Sequence, residues 1–144
     1  MHQRTSLLCL ASLLLVLSAC APTPPKTDLL APSAQQLKLR SFQTRTFDVK
    51  DRQEAVRAVI AALQDLGFIV ERANGPLGLV TAGKFAEPSY VDLVELTVTV
   101  RPKTETQMEF RVNAVFNTKP IEDPKVYQNF FTVLQRALFA APQG

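Results

Sequence analysis

Two segments of this chain repeat with a period of two, and that periodicity constrains the fold more than any other feature. Between Tyr90 and Arg101, Val94, Leu96, Val98 and Val100 alternate with Glu95, Thr97 and Thr99. Between Gln107 and Asn117, Met108, Phe110, Val112, Ala114 and Phe116 alternate with Glu109, Arg111 and Asn113. Successive strand side chains point to opposite faces, so each segment reads as a strand with one apolar and one wetted face. The polar stretch Pro102 to Thr106 joins them into an antiparallel pair, which needs apolar cover on one side only.

Two amphipathic segments supply that cover. From Asp51 to Leu66 the residues Ala55, Val56, Val59, Ile60, Leu63 and Leu66 recur at helical spacing, with Arg52, Glu54, Arg57, Gln64 and Asp65 opposite. Asp48 or Asp51 can cap this helix, Asp51 having Glu54 at capping-box spacing, and Gly67 can stop it. Asp123-Pro124 has the chemistry of an N-cap followed by proline at the first helical position. The helix it opens presents Tyr127, Phe130, Phe131, Leu134 and Leu138. Phe130 and Phe131 point about 100° apart, so one of them is expected at the margin of the core, beside a groove.

Phe68 to Glu71 and Leu79 to Ala82 flank the turn Asn74-Gly75-Pro76 and form a second hairpin. Leu37 to Phe47 mixes Leu, Phe and Thr with basic residues, lacks Gly and Pro, and reads as a first strand. The expected order is β-α-β-β-β-β-α, an α+β fold with an antiparallel sheet and both helices packed on one face.

Upstream of this domain lie Arg4, an apolar run from Leu7 to Leu17, and the small residues Ser18 and Ala19, the layout of a secretory signal peptide. The run is shorter than the roughly 20 apolar residues that span a bilayer. Leu17-Ser18-Ala19-Cys20 resembles the lipobox of bacterial lipoproteins. The resemblance implies that the Cys20 thiol receives a diacylglycerol, that cleavage occurs just before it, and that the new amine is acylated, as with palmitate. The alternative is an ordinary signal cut near Ala19 that leaves Cys20 a free thiol. Ala21 stands where aspartate would resemble an inner-membrane retention signal, so the resemblance implies the outer membrane, facing the periplasm. From Ala21 to Gln36 there are prolines at 22, 24, 25 and 32 and no apolar periodicity, as in a flexible tether. The expected organisation is a signal peptide over 1–19, a lipidated cysteine and tether over 20–36, and one α+β domain over 37–144.

Removal of residues 1–19 takes away His2, Cys9 and Arg4, leaving 15 basic and 13 acidic residues, no histidine and Cys20 as the sole cysteine. Catalysis by Ser-His-Asp or Cys-His, zinc sites built on His or Cys, and thiol redox chemistry are thereby excluded from the mature chain. Its charges are scattered, unlike the clustered basic footprint of a nucleic-acid binder. No nucleotide loop or nucleophile elbow is present. The expectation is a protein that is not an enzyme and uses no cofactor or metal.

The element order resembles the helix-grip domains of BamC-type outer-membrane lipoproteins, in which a long helix lies across a curved antiparallel sheet. Arg40-Ser41-Phe42-Gln43-Thr44-Arg45-Thr46-Phe47-Asp48, with Leu63-Gln64-Asp65-Leu66-Gly67-Phe68 and Leu77-Gly78-Leu79-Val80-Thr81-Ala82, is also similar to a group of small bacterial lipoproteins. These resemblances imply a role in cell-envelope maintenance or assembly, with an envelope protein as partner. Arg40, Gln43 and Arg45 on the first strand are candidate contacts for an acidic partner, lipid headgroups or peptidoglycan, or else a solvated edge row. Phe85 and Tyr90, flanking Pro88 between two strands, are candidate partner contacts or edge cover. A second expectation is a carrier holding a lipid or other apolar ligand between the C-terminal helix and the sheet. A cavity of about 300 Å³ or more there favours the carrier, and a packed interface disfavours it.

Overall fold

The computed structural model describes residues 31–140. They form α1 (Ala34–Gln43), β1 (Thr44–Phe47), α2 (Arg52–Asp65), β2 (Ile69–Asn74), β3 (Leu79–Phe85), β4 (Leu93–Pro102), β5 (Met108–Phe116), β6 (Lys119–Pro120) and α3 (Pro124–Ala140). The six strands make one antiparallel sheet in the order β1-β5-β4-β3-β2, with β6 pairing β5. The expected α+β class holds, with three helices where two were expected among the described residues.

The two alternating segments are the central strands. Val98 pairs with Val112 and Val100 with Phe110, so the apolar residues of β4 and β5 share one face. Against that face pack Ala55, Val59, Ala62 and Leu63 of α2 and Tyr127, Phe130, Phe131, Leu134 and Leu138 of α3, all buried. Asp51 caps α2 by accepting from Gln53 N at 2.8 Å. Gly67, at φ +79°, lets Phe68 N reach Leu63 O and Gly67 N reach Gln64 O, both at 2.9 Å, the Schellman ending that turns the chain into β2. Gly78 also needs its lack of a side chain, because a Cβ there would collide with Val100 O; Val100 N donates to Gly78 O at 2.7 Å, which pins the β2–β3 turn against β4.

Three expectations are corrected. Leu37 to Gln43 is helix, and only Thr44–Phe47 pairs as a strand, so Arg40 and Gln43 are not strand residues. Ser33 and Gln36 form a capping box, and Leu37, Lys38, Leu39 and Arg40 are good helix formers, which outweighs the absence of Gly and Pro. This helix starts at Ala34, ahead of the Leu37 expected to open the domain. The two helices that were expected, α2 and α3, do cover one face of the sheet, and the added α1 lies beside β5. Finally, Phe130 and Phe131 are both buried, at 2% and 0% exposure, with ring centroids 5.2 Å apart, although Phe130 also lines a groove between α3 and the sheet. α3 is flanked by α2 and by Phe47 of β1 as well as by the sheet, so its buried arc is wide enough for both rings.

Candidate functional site

One edge of β5 is shared by two short strands. β1 pairs with residues 108–111 and β6 with residues 115–116, leaving the middle of the edge without a strand partner. α1 lies beside this gap, and the side chain of Gln43, its only buried residue, fills part of it. Gln43 Nε2 donates to the Tyr127 hydroxyl at 3.4 Å, and that hydroxyl donates to the carbonyl of Ile121. Ile121 N in turn donates to Ala114 O on β5 at 2.9 Å. The chain of bonds ties α1, α3 and the β5 edge together, and Tyr127 carries it from the core to the surface.

An open cleft of about 430 Å³ remains between α1 and the edge. Leu39, Ala114, Val115 and Pro120 give it apolar walls, and Gln36, Arg40, Arg111, Asn113 and Glu122 supply its polar groups. Nε of Arg111 is buried without a hydrogen-bond partner among the described residues. That nitrogen is enclosed by protein atoms, as is Arg52 Nε elsewhere in the fold, so what the cleft offers an acceptor is the guanidinium charge of Arg40 and Arg111. Two guanidinium groups and an amide beside apolar walls suit a carboxylate carried on an extended chain. Glu122, at the rim, is engaged by Gln35 Nε2 at 3.1 Å.

The expected cluster of Arg40, Gln43 and Arg45 is therefore divided. Arg40 lines the cleft and Gln43 supports its wall. Arg45 projects to the helix-covered face, where its guanidinium lies 5.0 Å from the centre of the Phe131 ring. In the sequence Arg111 and Asn113 show only as outward-facing strand residues. Their alternation was the available signal, but pairing them with Arg40 requires the position of α1. Phe85 and Tyr90 are exposed at the ends of the β3–β4 connection.

A second, smaller groove of about 270 Å³ lies between α3 and the sheet, lined by Phe68, Leu96, Tyr127 and Phe130 among others. Lys84 closes one side, donating to Leu66 O at 3.1 Å with its ammonium 4.6 Å from the centre of the Phe68 ring. Leu134, further along α3, is fully packed. Asp123 accepts from Lys125 N at 2.9 Å, the capping role its position implied. Among the described residues no group of three or more His, Cys, Asp and Glu side chains converges as a metal site, and no helix is long and apolar enough to cross a membrane. Leu17, Ser18, Ala19 and Cys20 lie outside the described residues.

No protein-family model and no curated protein matches the chain. Among solved structures it is similar to a chain of the adenylate sensor from AMP-activated protein kinase, determined in complex with 5-aminoimidazole-4-carboxamide 1-β-D-ribofuranotide (ZMP). The likeness has a TM-score of 0.50 at 14% identity and covers 67% of this chain and 95% of that one. At that identity it describes the fold alone.

Proposed function

We propose that this protein is a non-enzymatic lipoprotein, anchored through Cys20 in the outer membrane and facing the periplasm, whose domain binds an acidic segment of an envelope protein in the cleft beside α1. The observation that carries the binding role is the cleft itself, an open groove lined by both Arg40 and Arg111 beside apolar walls. The anchor is supported by the lipobox resemblance of Leu17-Ser18-Ala19-Cys20 at the end of an apolar run. Each buried methylene contributes about 0.8 kcal/mol, so two or three acyl chains hold a protein on a bilayer stably. A domain held there searches a thin layer for its partner, and a modest cleft affinity is sufficient.

The second reading, a carrier of an apolar ligand, draws on the groove under Tyr127 and Phe130. Its 270 Å³ falls below the range of about 300–1,000 Å³ usual for ligand pockets, and the packing of Leu134 closes its continuation along α3. The binding module is the better supported of the two.

The test places a photo-crosslinking residue at Gln36, on the wall of the cleft, in the full chain in living cells. A discrete protein adduct that is lost in the Arg40→Glu, Arg111→Glu double variant, and retained in a Glu105→Lys control, is expected. Equal labelling in all three would show that the cleft is not where a partner binds.

A further inference from the structure

The strand registers bring four termini to one end of the sheet. Ile69 pairs with Gly83, Phe85 with Leu93, and Val94 with Phe116, so β2 and β4 begin where β3 and β5 finish. Alternation puts Ile69, Phe85 and Leu93 on the face that α2 and α3 do not cover. The β3–β4 connection adds Tyr90 and Val91, exposed to 86% and 85%. Ile69, Phe85, Tyr90, Val91 and Phe116 are five of the eight exposed large apolar side chains among the described residues, so the apolar surface of that part is concentrated at this end.

α1 also begins here. Gln35 bonds Glu122, and Gln36 shares the cleft with Val115 and Pro120, next to the β5–β6 turn. The chain leading back to Cys20 therefore joins the domain at its apolar end. From Cys20 to Ser33 there are 13 residue steps, which reach at most about 45 Å. The opposite end, with Lys103 and the finish of α3, lies a helix length farther off, about 25 Å for 17 residues. The Tyr90 end is thus the end nearer to the point where the chain from Cys20 enters the domain.

We infer that this end is a second membrane contact, in which Tyr90 and Val91, backed by Phe85 and Ile69, dip into the interface of the bilayer that holds the Cys20 lipid. The inference rests on the anchor reading. Tethering makes the contact intramolecular, with an effective concentration of about millimolar, so a weak contact suffices. Tyrosine suits this boundary, having an apolar body and a polar tip. The charges nearby are mixed and do not make a basic patch: Glu87 and Lys119 are exposed, and the Glu71 carboxylate lies over Gly83 beside Leu93. Lys84 turns inward to Leu66 O and Phe68, and Asp92 is held by Asn117 Nδ2 at 2.6 Å. The contact is therefore made by the apolar side chains and does not depend on attraction to anionic lipid. Its depth orients the domain, leaving the cleft beside α1 turned sideways to a partner in the same plane.

The mature chain has no cysteine besides Cys20, so Val91→Cys and Lys103→Cys each introduce a single free thiol for a polarity-sensitive fluorophore. The labelled lipoprotein, extracted from membranes and checked for acylated Cys20 by mass, is reconstituted into phosphatidylcholine vesicles carrying nitroxide-labelled lipid. The expected result is a blue-shifted Val91 probe, quenched severalfold more than the Lys103 probe at low and high salt alike. Adding Tyr90→Ser should reverse much of that difference. Acylated protein with equal, weak quenching at both sites overturns the membrane contact while leaving the anchor intact. A blue shift at Val91 without lipid quenching would assign the patch to a second copy of the chain and overturn it as well. A Cys20 free of lipid overturns the anchor reading and the contact together.

Discussion

α3 and α1 flank the same sheet but are held by different physics. α3 buries Tyr127, Phe130, Phe131, Leu134 and Leu138, so its position follows from the removal of apolar surface from water. α1 buries only Gln43 and is otherwise secured by the Ser33–Gln36 capping box and by Leu39 and Phe42 resting partly on the core. One helix closes the core and the other forms a wall that can yield. The cleft lies beneath the second, where side chains remain available to a partner because packing has not consumed them.

The largest effect should come from breaking the better-held helix. Phe131→Ala removes a fully buried ring that contacts both Phe130 and Phe47, and is expected to destabilise the fold by about 3–5 kcal/mol. Denaturant unfolding reads it, and a loss below about 1 kcal/mol would mean that the α3 interface is not the keystone described. Gln43→Ala should matter less, at about 1–2 kcal/mol, because the Tyr127 hydroxyl keeps its bond to Ile121. Hydrogen exchange should accelerate over α1 and leave β4 and β5 protected. Uniform acceleration would show that α1 belongs to the same cooperative unit as the core. Ser33→Ala is the smallest change, removing the α1 cap for about 1 kcal/mol. Exchange of the Gln36 amide should rise while the denaturation midpoint hardly moves. A large midpoint shift would erase the distinction between the two helices.

That distinction also explains which parts of the fold were legible in the sequence. α2, α3, β4 and β5 each bury a full apolar stripe, and burial writes a period of 3.6 or 2.0 into the residues. α1 carries no such stripe, so Leu37 to Gln43 was read as the continuation of Thr44–Phe47. The signal that would have found it was local: Ser33 with Gln36 at capping-box spacing. The β5–β6 hairpin was also invisible. Its turn residues Asn117 and Thr118 have φ of 45° and 71°, a left-handed pair that usually advertises itself by glycine. Here Asn117 instead bonds Asp92 and Leu93, a partnership set by the tertiary fold. The same holds for the site. Arg40 stood out as a polar residue, but its proximity to Arg111 depends on α1 folding back along the β5 edge, and no periodicity encodes that approach.

The proposed anchor depends on the chemistry at Cys20, and the mass of the chain purified from cells reports that chemistry. The expected mass corresponds to a chain beginning at Cys20 and carrying a diacylglycerol and an amide-linked acyl chain, found in the outer-membrane fraction and abolished by Cys20→Ala. An unmodified chain recovered from the soluble fraction, with Cys20 free, would contradict the account.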